Sequence, residues 1–295
     1  MSVDYTTVGL IANTRRRASL PEGSGFTDND FLQVLSEQLR NYIPAFLKGI
    51  REEFIIAQAS ATVTAATVPI PTRACGAALR TIAWTMSDGT LRDLARIEPE
   101  RRNDYGSSTG EPVGYVFQGN NIILVPAATS GTLVVSYQQR PGQLVLPTSC
   151  GAITGIDVGT NTLTFDSLPS TFLDSEVYDL VASRPNFTLR GLDLSVDNIT
   201  STTMEFTDAL PAGILPGDFV CLATETPIPQ IPYEAHDLLA QTAAYNIAAS
   251  TGSTRTEAIA KALKELREQL TMLLSPRSDG SARVIVSRSR LGRWR

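Results

Sequence analysis

The sequence predicts an α+β fold: a small helical bundle from N- and C-terminal helices with an inserted antiparallel β region (sandwich/barrel-like), plus an extended N-terminal arm and a C-terminal tail. Three observations predict it. Apolar residues recur at helical spacing near both ends of the chain. From about Phe54 to Pro232 the period changes to two, with turn residues at short intervals. The segment PIPQIP at 227–232 reads as a stiff extended connector that returns the chain to the bundle. The resulting divisions are an arm at 1–25, a first bundle helix at 26–56, a β region at 57–149, a second β insert at 150–226, bundle helices at 227–275 and a basic tail at 276–295.

The arm holds one short apolar run, Val8 to Ile11, followed by Arg15, Arg16 and Arg17. It is too short for its own core, so it is either disordered or laid against a neighbouring subunit, with the three arginines as contact candidates. The first helix begins at Thr27, a capping residue, with Asp28 and Asp30 in the first turn and Phe26 and Phe31 placed for a hydrophobic staple. Its stripe runs Phe31, Leu35, Leu39, Tyr42, Phe46, Ile50, with a kink expected at Pro44.

In the β region, Ala59 to Val68 reads as one alternating strand. Thr81 to Met86 turns at Ser87-Asp88-Gly89 and resumes from Thr90. Residues 99–110 are polar and read as a mobile loop. Tyr115 to Gln118, the turn Gly119-Asn120-Asn121, and Ile122 to Val125 form the clearest hairpin signal. Thr132 to Gln138 follows as a strand. The insert contains a weak repeat: TLTF at 162–165 precedes Leu168-Pro169, and TMEF at 203–206 precedes Leu210-Pro211. Two copies are too few for a solenoid and imply a small sandwich or barrel.

The C-terminal pair begins with Leu238, Thr242, Tyr245 and Ala249 on one face and breaks at Gly252. Ile259, Leu263, Leu266, Leu270 and Leu273 then form an amphipathic stripe, with Thr254 and Glu257 spaced as a capping box and Ser275-Pro276 as the stop. Neither this pair nor the first helix can bury its stripe alone, so the two are expected to pack together.

Charge is segregated. The net charge of −5 combines six arginines against one acid beyond Pro276 with an acidic remainder, and residues 150–230 carry eleven acids against Arg184 and Arg190. That separation favours a tail that docks on something acidic. No apolar run approaches the roughly 20 residues of a bilayer span. The first residues lack the basic and apolar blocks of a signal peptide, so maturation in a cytosol is expected. Cys75, Cys150 and Cys221 show neither a zinc pattern nor an evident disulfide framework and read as reduced packing residues.

Nothing in the sequence points to catalysis. A single histidine, His236, rules against a triad or a multi-histidine metal site. Gly23-Ser24-Gly25 lacks the lysine and preceding strand of a phosphate loop. The aspartates of the insert read as turn residues. No enzyme, no metal and no cofactor is expected.

The tail is different. Val284-Ile285-Val286 is β-prone, and Arg277, Arg283, Arg288, Arg290, Leu291, Arg293, Trp294 and Arg295 interleave charge with apolar surface. A merely disordered tail is usually polar throughout. This composition suits strand addition to a partner's sheet, with arginines gripping carboxylates or phosphate and Trp294 filling a pocket. Direct nucleic-acid binding competes with this reading, and the acidic body weighs against it.

Four pieces in order carry a resemblance: LIANTRRRASLP at 10–21 before the capped helix, GYVFQGNNIILVPAATSGTLVVSYQQRP at 114–141, GDFVCLATETPIPQIPYEAHDLLAQTAAYNIAAS at 217–250, and the leucine-rich helix with its arginine-rich end. Together they resemble the head-to-tail adaptor (connector) proteins of tailed bacteriophages. The resemblance implies a structural virion protein of the neck, assembled in the host bacterial cytoplasm as a twelve-membered ring. The implied partners are the portal protein, gripped by the C-terminal tail, tail or neck proteins on the other face, and double-stranded DNA passing through the centre without sequence readout. The alternative is a β-rich virion binding module, such as a carbohydrate-recognising decoration or fibre-attachment protein.

Overall fold

The computed structural model describes residues 4–20, 25–105, 109–128, 130–183 and 189–275. Among these residues five helices build the bundle: α1 (Thr7–Ala18), α2 (Asp28–Asn41), α3 (Ile43–Ile50), α4 (His236–Ser250) and α5 (Thr256–Leu274). The first of them corrects the expected extended arm. Leu10, Ile11, Thr14 and Ala18 are buried on α4, and the Thr14 hydroxyl donates to the Leu10 carbonyl at 2.9 Å. The helix ends where Ser19 takes a left-handed conformation and its N–H caps the Arg15 and Arg16 carbonyls. A stripe of one apolar residue per turn is weak in isolation. It is stabilised here because α4 supplies the other wall.

The expected Thr27 cap of α2 forms, and it closes into a capping box with Asp30 as the acid. The Thr27 hydroxyl accepts from the Asp30 N–H, and the Asp30 carboxylate accepts from the Thr27 N–H at 2.7 Å. Phe26 and Phe31 sit with ring centroids 6.0 Å apart. The expected kink is a division into two helices at Tyr42, because Pro44 has no N–H to continue the ladder. α4 departs from its one-sided stripe. α1, α2 and α5 all pack on it, so it is buried on most sides, with Tyr245 half-buried and Ala249 exposed. α5 starts at Thr256 without the Thr254 cap, and its stripe frays: Ile259 and Leu270 are buried, whereas Leu273 is 63% exposed.

The strands that follow α3 are β1 (Ile56–Val63), β2 (Thr67–Pro69), β3 (Ala74–Thr85), β4 (Leu91–Asp93), β5 (Ala95–Arg96), β6 (Gly114–Gln118), β7 (Asn121–Val125) and β8 (Gly131–Gln139). They form two sheets, β1-β8-β3-β4 and β2-β7-β6-β5, which share one core of Val63, Ile82, Trp84 and Leu133 with Val68, Ile122 and Leu124. The stretch expected as a single strand at 59–68 therefore turns a corner and serves both sheets. Both predicted hairpins form, with Gly89 and Gly119 at positive φ in the turns. Residues Pro99–Tyr105 of the expected mobile loop form a 3-10 helix instead.

After β9 (Gln143–Leu144), the insert closes into a six-stranded barrel of β10 (Gly151–Asp157), β11 (Thr162–Phe165), β12 (Val177–Val181), β13 (Leu189–Ile199), β14 (Thr203–Phe206) and β15 (Phe219–Leu222), in the order β10-β11-β14-β13-β12-β15. Closure leaves no free sheet edge. The two copies of the repeat are β11 and β14, and they pair with each other. The equivalent residues Leu163 and Met204 lie directly opposite, flanked by Thr162↔Glu205 and Thr164↔Thr203. The equivalent bonds Phe165 N–H to Thr202 O and Phe206 N–H to Asn161 O, at 2.8 and 3.0 Å, bracket the pair. The repeat is thus a local two-fold, with Leu163, Phe165, Met204 and Phe206 all buried in the barrel core. The chain leaves through β16 (Glu225–Thr226), which pairs parallel to β9, so entry and exit of the barrel lie side by side.

Candidate functional site

The predicted docking residues Arg277, Arg283, Val284, Ile285, Val286, Arg288, Arg290, Leu291, Arg293, Trp294 and Arg295 lie outside the described residues. The three arginines proposed for subunit contact are on α1. Arg15 pairs with Asp28 at 3.3 Å and lies over the Phe31 ring. Arg17 reaches Asp237 at 2.9 Å and the Gln241 side chain at 2.8 Å, tying α1 to α4. Arg16 is exposed and, among the described residues, its side chain bonds Asn13 one turn back, so it is the member of the run best placed to meet another chain.

Where bundle, sandwich and barrel meet there is a groove of about 870 Å³, lined by Phe54, Ile56, Leu189, Ile231, Pro232 and Leu274 among others. Exposed apolar residues stand at and beyond its rim: Tyr233 in its wall, then Met272 and Leu273 at the end of α5. Leu274 in its lining places it at the C-terminal end of α5.

Beside that groove lies an internal anchor that the sequence reading missed. Arg73, between β2 and β3, is 5% exposed and forms a two-pronged pair with Asp179 of β12, at 2.8 and 2.9 Å, and a further pair with Asp193 of β13 at 2.7 Å. Asp179 also accepts the Asp193 and Thr224 N–H groups at 3.1 and 3.0 Å. Burial pushes the Asp179 carboxyl above its ordinary value, against the pull of the Arg73 guanidinium. The signal for this anchor was in the sequence: Asp179 interrupts the otherwise apolar strand VYDLV, and a charge in such a run needs a partner. Which arginine supplied it was not readable, since the two lie 106 residues apart.

Of the eleven acids of the insert, eight are exposed around the barrel. Asp218, buried, accepts from the Ser183 N–H and hydroxyl and the Leu215 N–H, which shapes a loop. Among the described residues no group of three histidine, cysteine or acidic side chains is placed to hold a metal ion. Among them, too, no helix is long and apolar enough to cross a membrane. His236 is buried where the connector enters α4, its ring edge-on to Tyr5 at 6.2 Å.

A protein-family model described as SU10 adaptor protein matches residues 6–182, from α1 through the two sheets to the end of β12. The chain belongs to the SU10 adaptor protein family. This family is of phage head–tail adaptor type, and the protein is a structural phage adaptor. A search of curated proteins finds no match. The match takes in the bundle's first three helices, the sandwich and the first three of the six barrel strands.

Proposed function

We propose that this SU10-family adaptor assembles into a ring, of twelve copies as in the phage connectors it resembles, in the neck of the virion. The ring docks on the portal through the basic tail, offers its other face to tail or neck proteins, and lets DNA pass through its centre. The observation that carries the reading is the family match over 6–182. Charge supports it further: the acidic residues 1–275 repel DNA phosphates, while the last twenty residues carry six arginines against one acid. The exposed apolar residues at the end of α5 support a contact near the root of the tail.

Electron microscopy and native mass measurement of the purified protein, with and without portal, test the reading. Rings alone or on portal are expected. A stable monomer indifferent to portal would overturn it, and a ring whose acids mostly face away from the lumen would remove the part assigned to the acidic body.

A further inference from the structure

Cys150 and Cys221 read from the sequence as reduced packing residues, and the barrel register brings the two together. β10 and β15 pair as Gly151↔Val220 and Ala152↔Phe219, so one further step places Cys150 opposite Cys221. The Ile153 N–H donates to the Asp218 carbonyl at 2.8 Å, and hydrogen-bonded pairs alternate along an antiparallel ladder, which makes 150/221 a non-bonded position. The far side of β15 agrees: Ala223 N–H bonds Val177 O, so the backbone groups of Cys221 turn toward Asp179 on β12. Non-bonded pairs bring Cα atoms to about 4.5 Å with side chains on one face, inside the span a disulfide needs. The two side chains lie in one buried cluster with Val181 and Ile228.

We propose that Cys150 and Cys221 are an oxidisable pair that closes to an intrachain disulfide, stapling the barrel at its root. Cys150 is the residue before the first barrel strand and Cys221 lies in the last, so the bond would enclose the whole insert. Cys150 is 6% exposed and Cys221 is fully buried, so a small hydroperoxide reaches Cys150 first. It transfers one oxygen to give the sulfenic acid and departs as the alcohol, or as water from hydrogen peroxide. The Cys221 sulfur then attacks the Cys150 sulfur: the S–S bond forms, the S–O bond breaks, and the hydroxyl leaves with the Cys221 proton as water. This chemistry is independent of the adaptor reading.

The test uses the full chain carrying Cys75→Ser, which removes the exposed third thiol, treated with hydrogen peroxide and mapped as peptides without reductant. A peptide joining 150 to 221 is expected, with two hydrogens lost from the intact mass, reversal by dithiothreitol, and a melting temperature above that of the reduced protein. In the Cys75→Ser, Cys221→Ser chain, dimedone should capture a sulfenic acid at Cys150 that is absent when Cys221 is present. Cross-links only between chains, over-oxidised Cys150 with no 150–221 peptide, or equal dimedone labelling with and without Cys221 would each overturn the proposal. If the double variant fails to fold, the peptide map of the Cys75→Ser chain still decides.

Discussion

Arg73 joins two structural units through one side chain. Its two acid partners come from adjacent barrel strands, and the two residues whose N–H groups also bond Asp179, Asp193 and Thr224, both hold positive φ, at 52° and 74°. A non-glycine residue rarely adopts that conformation, so the carboxylate keeps in place a backbone that would otherwise relax. Replacing the guanidinium leaves Asp179 buried without a countercharge. We expect Arg73→Met to destabilise the protein by about 3–5 kcal/mol in urea unfolding, and Asp179→Asn added to it to restore part of the loss by removing the charge while keeping an acceptor. A loss below about 1 kcal/mol for Arg73→Met would contradict the anchoring role. His236 makes a second residue-scale case. Burial lowers its pKa from 6.5 to about 4, while the Pro229 and Ile231 carbonyls and Asp237 act in the opposite direction. Between those values the unfolded chain takes up a proton that the folded one refuses. Stability present above pH 6.5 is therefore lost as the pH falls toward 4, at up to about 1.4 kcal/mol per pH unit from this group. In urea titrations at pH 7 and pH 5, His236→Gln should remove that component of the slope. An unchanged slope would show that the ring is protonated within the fold.

Elements differed in how far their own residues specified them. The hairpins at 86–90 and 118–121 were legible because turn chemistry and alternation are local. The repeat was legible for the same reason, as each copy shows its two inward residues. What was not legible depended on a distant partner. α1 shows one apolar residue per turn and becomes a helix of the bundle against α4, and α4 loses its one-sided pattern because three helices surround it. The corner between β1 and β2 has no glycine or proline to mark it, only Thr64-Ala65-Ala66, so a single strand was the simpler reading. The two-fold in the barrel makes a prediction at this scale. Leu163 and Met204 are both fully buried and directly paired, so Leu163→Ala and Met204→Ala should each cost about 2–5 kcal/mol. Because the two side chains share one packing site, the double variant should differ from the sum of the singles by more than about 0.5 kcal/mol. Strict additivity in a double-mutant cycle would separate the two positions.

At the scale of the molecule, three cores are held to one another by a few connections: Arg73 between sandwich and barrel, β9 beside β16, and the bond from the Leu144 N–H to the Ser36 hydroxyl that ties β9 to α2. None of these involves a residue beyond Ser275. Among the described residues, the hydrophobic clusters of bundle, sandwich and barrel draw on positions from Leu10 to Leu274. Removing 277–295 takes six arginines and the Val284-Ile285-Val286 run from the protein and leaves all of these cluster residues in the chain. The truncated chain should keep its melting temperature and circular dichroism spectrum. If the tail is the portal grip, the same chain should lose portal binding in co-sedimentation, and raising the salt should weaken the full-length complex, since arginine contacts to acidic surface are screened. Binding by the truncated chain equal to that of the full chain would move the grip onto the body, with the groove beside Leu274 and the exposed Met272 and Leu273 as the surface to mutate next. A collapse in melting temperature would instead mean that the tail completes the fold, and the separation of body from grip at Pro276 would fail.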